Sequence, residues 1–138
     1  MVICVGNICR SPVGERILRD LRPELRVESA GLGALVGHAA DETMTRVAAR
    51  HGVSLEGHEA RQFDAPLAQD TDLLLVMEPG HKREIARLSP HLSGRVMLFD
   101  QWTTASGIRD PYRRAEDVHE DVFLRIREAA ERWAEKLK

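Results

Sequence analysis

The 138-residue chain has only two cysteines, and both, Cys4 and Cys9, fall within one short loop. They cannot tie distant parts of a fold together as the disulfides of small secreted domains do, so their clustering points to chemistry. Excess charge is also lacking. A net charge of −2 gives no global field to draw in nucleic acid or an anionic membrane, so any anion must be recognised locally. No apolar run approaches the roughly 18 residues of a membrane span, and Met1-Val2-Ile3-Cys4 has neither the basic nor the long apolar region of a signal peptide. A cytoplasmic protein without membrane insertion is expected. His38, His51, His81, His91 and His119 are scattered without metal-ligand spacing, which places them on the surface and argues against zinc. Neither metal nor cofactor is expected. Repeats, low-complexity tracts and linkers are missing too, so residues 1–138 are read as one domain, of a size that buries its own core.

What is present alternates between strand and helix. Val2 to Cys4 reads as a very short strand, and Gly6-Asn7 as a turn. Ser11 suits an N-cap and Pro12 a first helical position, ahead of Val13, Ile17, Leu18 and Leu21 on one face. A second strand is expected over Leu25 to Ser29, then a Gly-rich loop, then a helix capped by Asp41 and closed by Gly52. Asp72 to Met77 contains a continuous apolar run of the kind buried on both faces of a parallel sheet. Pro79 opens a further helix, and Arg95 to Phe99 forms a fourth strand before a long loop from Asp100 to Arg113. The last helix, Glu116 to Leu137, carries Val118, Val122, Ile126, Ala129, Trp133 and Leu137 at spacings of three and four. This order predicts a single-domain α/β fold in three layers, a central four-stranded parallel sheet flanked by helices, with ligands beyond the carboxyl ends of the strands.

The stretch Cys4-Val5-Gly6-Asn7-Ile8-Cys9-Arg10-Ser11-Pro12 lies between a strand end and a helix start. Successive amides in such a loop form a concavity for an anion, and the helix N-terminus adds free donors and partial positive charge. Gly6 is expected to supply the unusual dihedrals the loop needs. Arg10 can close the ring with a planar fork of donors, which a lysine does not offer. The same field favours a thiolate at Cys4, which makes it a nucleophile at neutral pH. Its partner acid is Asp110, in a loop beyond the fourth strand and restrained by Pro111, while Tyr112 can wall an aromatic substrate. Alone, Cys4 reads as inert packing, Arg10 as a surface cation and Asp110-Pro111 as a turn; their combination reverses those readings. Ser29 and His58, read by themselves, also suit satisfied core polar groups.

Read in order, the chain resembles the low-molecular-weight protein tyrosine phosphatases. The nucleophile loop Cys-x5-Arg-Ser-Pro stands at the first strand and Asp110-Pro111-Tyr112 late, an order that the larger tyrosine phosphatases reverse. Ser29-Ala30-Gly31, His58-Glu59-Ala60-Arg61-Gln62 and Met77-Glu78 extend the likeness over most of the chain. The resemblance implies a phosphotyrosine protein phosphatase I-like fold and hydrolysis of phosphotyrosine in proteins through a cysteinyl-phosphate, with Cys4, Arg10 and Asp110 catalytic. Val5, Gly6, Asn7, Ile8, Cys9, Ser11, Leu35 and Tyr112 would contact substrate. Asn7, Ser11, Ser29 and His58 would form a buried network, with Ser11 also supporting the thiolate. Ser29 to Gly37 looks like the bacterial branch that accompanies tyrosine kinases of capsule and exopolysaccharide export, which makes such a kinase the expected partner and places Leu35 where eukaryotic relatives carry an aromatic residue. Only Met1, Val2 and Ile3 precede Cys4, fewer than the family usually has, so a short or frayed first strand is expected.

Two other functions compete. A phosphotyrosine-binding module would keep the anion cradle without turnover. An arsenate reductase would share the loop but needs redox cysteines beyond Cys9, and none follows. Cys9 itself either fills space or traps an oxidised Cys4 as a reversible disulfide. Arg109, Arg113 and Arg114 read as solvated cations more readily than as a docking patch for acidic segments.

Overall fold

A computed structural model describes residues 1–137. Four three-residue strands, β1 (Val2–Cys4), β2 (Ser29–Gly31), β3 (Leu74–Val76) and β4 (Val96–Leu98), form one parallel sheet in the order β2-β1-β3-β4. The connecting helices are α1 (Arg10–Leu21), α2 (Glu42–Arg50), α3 (Ala65–Ala68), α4 (Pro79–Leu88) and α5 (Glu116–Lys136), with a 3₁₀ turn at Pro90–Arg95.

Side chains alternate across each strand and sort the core into two layers. Val2, Cys4, Leu75 and Met77 face α1, α2 and α5, where Val13, Val47, Phe123 and Ile126 meet them. Ile3, Leu74, Val76 and Val96 face the other way, onto Phe63, Ile85 and Leu92. Both faces are covered, which gives the three-layer α/β fold expected from the chain order. The first strand is short but not frayed, because β1 is paired on both sides and buried throughout.

Chain progress reverses direction between β1 and β3: β1 leads outward to β2, and β3 to β4. The crevice for ligands in an open parallel sheet opens at that switch point, beyond the strand ends. The loop after β1 and the turn after β3 therefore face one another.

Several boundaries differ from the sequence reading. The second strand is Ser29–Gly31, not Leu25 to Ser29, because register with Val2, Ile3 and Cys4 selects it. Helix α1 opens at Arg10 with Cys9 in the cap position, so Ser11 is not the N-cap; its hydroxyl turns inward instead. Asp41 does cap α2, accepting from the Met44 amide at 3.0 Å. His81 and His119 are buried and not on the surface, while His51 is half-buried, stacked on Phe123.

Candidate active site

The loop from Cys4 to Ile8 is held by its carbonyls. Those of Cys4, Val5, Gly6 and Ile8 accept from the amides of Leu32, Gly33, Leu35 and Asp41 at 2.9 to 3.1 Å, and that of Asn7 accepts from His58 Nε2 at 2.6 Å. Five consecutive carbonyls are thus anchored outside the loop. The N–H groups of Gly6, Asn7, Ile8 and Cys9 have no partner among the described residues. Aligned with the start of α1, they form an anion-binding concavity.

The left-handed residue of this loop is Asn7, at φ 58°, and not Gly6 as the sequence suggested. Asparagine tolerates that conformation better than most residues, and here its side chain over-determines it. Its amide donates to Ser11 Oγ at 2.8 Å and to Ser29 Oγ at 3.0 Å, and its carbonyl oxygen accepts from the Arg61 amide at 2.9 Å. Ser29 donates onward to Glu15 at 3.0 Å. Ser11 Oγ accepts from Asn7 and keeps its own proton free to donate to Cys4 Sγ, 2.9 Å away. The network thus runs from Asn7 outward, to a buried carboxylate at one end and the Cys4 sulfur at the other. Gly31 makes the close approach possible: a Cβ there would lie 2.3 Å from the Val5 carbonyl oxygen.

Arg10 is 1% exposed. Its Nη1 donates to Glu78 at 2.8 Å and to the Ile108 carbonyl at 2.7 Å, and its Nη2 lies 3.8 Å from Asp110 Oδ2. Glu78, at the end of the β3 turn, also meets His81 Nε2 at 3.1 Å. Burial and then the Arg10 guanidinium hold His81 below the ordinary histidine range. The Asp110 loop is shaped by Asp100, a buried carboxylate that accepts from the Thr104 hydroxyl and from the amides of Ser106 and Gly107. The next residue, Ile108, donates its amide to Met77 and offers its carbonyl to Arg10. Asp110 then forms a turn with the Tyr112 amide and keeps its side chain about half exposed, at 47%.

Cys4, Val5, Gly6, Ile8, Cys9, Arg10, Gly33, Leu35, Asp110 and Tyr112 line one cavity of about 160 Å³. Cys4 and Arg10 are buried, while Leu35, Tyr112 and Val5 are exposed at its apolar rim. A larger cavity of about 480 Å³ lies at the opposite end of the sheet, around Val2, Leu25 and Leu73, away from these groups. Arg109 is engaged with Asp121 and Arg113 lies over the Tyr112 ring.

Sequence reasoning missed Glu15, Glu78, Arg61 and Asp100 as supports of the site. Glu15 left a signal, a carboxylate four residues after Ser11 on the buried face of α1. Ile108 left none, because it acts through its carbonyl. Also unforeseen is the convergence of Cys9, Asp41 and His119, whose donor atoms all lie within 4.8 Å of one another. Burial and the Asp41 carboxylate push the Cys9 thiol well above the usual cysteine range.

The fold recurs in known proteins. The tyrosine phosphatase Wzb from Escherichia coli K30, solved in complex with sulphate, superposes with a TM-score of 0.97 at 49% identity, over 99% of this chain and 96% of that one. Vibrio vulnificus Wzb in complex with benzylphosphonate gives 0.96 at 43%, over 99% and 96%. The low molecular weight protein-tyrosine-phosphatase Etp of Escherichia coli K12 is 47% identical across 99% of this chain and 93% of its own. The profile for low molecular weight phosphotyrosine protein phosphatase matches residues 1–138. With the anion cradle, the fold and near full-length identity in agreement, the chain belongs to the low molecular weight protein tyrosine phosphatase family.

Proposed function

We propose that this tyrosine phosphatase works through a covalent cysteinyl-phosphate. The Cys4 thiolate attacks phosphorus in line; the S–P bond forms as the bond from phosphorus to the tyrosyl oxygen breaks, and Asp110 gives that oxygen its proton. Water then attacks the cysteinyl-phosphate, Asp110 takes the water proton as base, and inorganic phosphate leaves with the thiolate restored. Arg10 and the loop amides hold the three equatorial oxygens through both steps, so positioning and electrostatics supply most of the acceleration. Ser11 donates to the thiolate, and Asn7, Ser29 and His58 keep the loop in shape. None of these steps calls on a metal or cofactor.

The observation that carries this reading is the single cavity shared by Cys4, Arg10 and Asp110, which come from the two ends of the chain. Its depth supports tyrosine over serine: Cys4 is only 3% exposed, and a long aromatic ester spans the distance from the Leu35 and Tyr112 rim. Benzylphosphonate, bound by the Vibrio vulnificus relative, joins an aromatic ring to a phosphonate in the same manner, and we assign that ligand class to this cavity. The resemblance to the capsule and exopolysaccharide branch makes a bacterial tyrosine kinase or polysaccharide-export protein in the cytoplasm the proposed substrate. No described helix is long and apolar enough to cross a membrane.

The test is phosphate release from a phosphotyrosine peptide in EDTA. Wild type turns over, Cys4→Ser releases nothing, and Asp110→Asn is slowed by about 10²–10⁴-fold, the range for general acid catalysis. A Cys4→Ser protein that still turned over, or an Asp110→Asn protein at full rate, would remove the corresponding assignment. Folded wild type that binds the peptide without releasing phosphate would leave a binding module instead.

A further inference from the structure

At the end of the phosphate loop, three side chains from separate elements meet. Cys9 comes from the cap position of α1, Asp41 from that of α2, and His119 from the first turns of α5. Their donor atoms lie within 4.8 Å of one another, and His119 Nε2 is 3.3 Å from Asp41 Oδ2. His119 is 1% exposed, yet its Nε2 has no hydrogen-bond partner.

The other ring nitrogen fixes what Nε2 is. Nδ1 lies 3.0 Å from the Ala115 carbonyl, which can only accept, so Nδ1 carries the proton. In the neutral ring Nε2 is then a bare lone pair, 3.3 Å from a carboxylate oxygen. A carbonyl that orients a histidine through its far nitrogen is the usual outer support of a metal-ligating imidazole. Thiol, imidazole and carboxylate together favour a zinc-like ion over magnesium or calcium, which take oxygen. Zinc bonds of about 2.3 Å to sulfur and about 2.0 Å to nitrogen and oxygen set tetrahedral ligand atoms roughly 3.3–3.6 Å apart. The His119–Asp41 pair already has that spacing, and binding would need only the Cys9 side chain to draw closer.

We propose that Cys9, Asp41 and His119 form a binding site for Zn²⁺, with solvent as the fourth ligand, where the phosphate loop runs into α1. The ion enters from the Asp41 side, the one partly exposed face at 19%. On binding, the Cys9 S–H bond breaks, the proton goes to buffer, and the sulfur lone pair bonds the metal with no change of oxidation state. The bound ion would tie the starts of α1 and α2 to α5 and hold Cys9 in the thiolate form, away from any reaction with Cys4. The site stands on these contacts and does not depend on the phosphatase mechanism.

The test uses the Cys4→Ser protein, in which Cys9 is the sole thiol because the chain has only two cysteines. Metal-free protein is titrated with Co²⁺, a spectroscopic stand-in for zinc. Expected are a sulfur-to-cobalt charge-transfer band, the intense visible bands of a tetrahedral site, and loss of both on adding Zn²⁺. In that background Asp41→Asn, which keeps the cap of α2, and His119→Ala each weaken binding by roughly tenfold or more. Cys9→Ser in the same background abolishes the charge-transfer band. The proposal is overturned if natively folded Cys4→Ser protein, checked by circular dichroism, gives no such band at millimolar Co²⁺. It is equally overturned if the band persists at unchanged affinity in Asp41→Asn.

Discussion

Arg10 Nη1 donates to Glu78 Oε2 at 2.8 Å, joining the end of the β1 loop to the turn after β3 across the switch point of the sheet. The contact is charge-assisted and one partner is fully buried, so Glu78 aims the guanidinium fork that we propose holds the phosphoryl group. Glu78→Gln keeps the shape and removes the charge. Hydrogen bonds to charged groups contribute about 1.5–3 kcal/mol, so kcat/KM is expected to fall by roughly one to two powers of ten. Arg10→Lys should fall further, because the ammonium cannot meet two oxygens in one plane. Steady-state kinetics on a phosphotyrosine peptide check both; equal rates for wild type and Glu78→Gln would show that Arg10 needs no partner.

Asn7 offers a separation of backbone from side chain. Asn7→Gly permits the positive φ but loses bonds to Ser11, Ser29 and Arg61, whereas Asn7→Ala loses the bonds and strains the backbone as well. Both should lower thermal stability, alanine more than glycine by about 1 kcal/mol, the cost of a left-handed residue with a Cβ. If the glycine variant is the less stable of the two, the dihedral is not what the asparagine was relieving.

Gly31→Ala places a methyl group against main chain, 2.3 Å from the Val5 oxygen, where no side chain can swing aside. The loop must move. Overpacking of this kind costs about 1–3 kcal/mol, and activity should drop well beyond the loss of stability because the cradle itself is displaced. Denaturant unfolding and peptide kinetics on the same preparation would compare the two losses.

Asp100 lies outside the cavity lining but holds the loop that presents Ile108 and Asp110. Asp100→Ala leaves two amides without their acceptor, at about 1–3 kcal/mol each when buried. Faster hydrogen exchange over residues 101–108 and a reduced kcat are expected, and unchanged exchange would show that the loop is ordered by something else.

His81 gives a pH signature. Its folded-state pKa is depressed by burial and by Arg10, so the unfolded chain takes up a proton more readily than the native one. Stability is therefore complete above the ordinary histidine value of about 6.5 and declines as the pH falls through it. His81→Gln should flatten that part of the urea-unfolding profile between pH 5 and 7.

The sequence disclosed which residues gather at the cavity better than it disclosed the frame. Cys4, Arg10 and Asp110 were legible because their residue types make sense only together, and strand-helix alternation placed them on one edge. The β2 boundary was not legible: Leu25 and Val27 looked like the strand, but polar Ser29 occupies it, because Asn7 and Glu15 satisfy its hydroxyl. Gly6 was preferred over Asn7 for the left-handed position on conformational freedom alone, and hydrogen bonding from distant residues decided otherwise. His119 and Asp41 belong to helices that meet only in three dimensions. Spacing along the chain carries no trace of that.

Leu35 donates its amide to the Gly6 carbonyl and presents its side chain to the cavity rim. The two halves of one residue thus serve different ends: main chain steadies the cradle, and side chain builds the rim. Any amino acid except proline can supply that amide. The rim can therefore be reshaped at position 35 while the geometry of the loop is inherited unchanged.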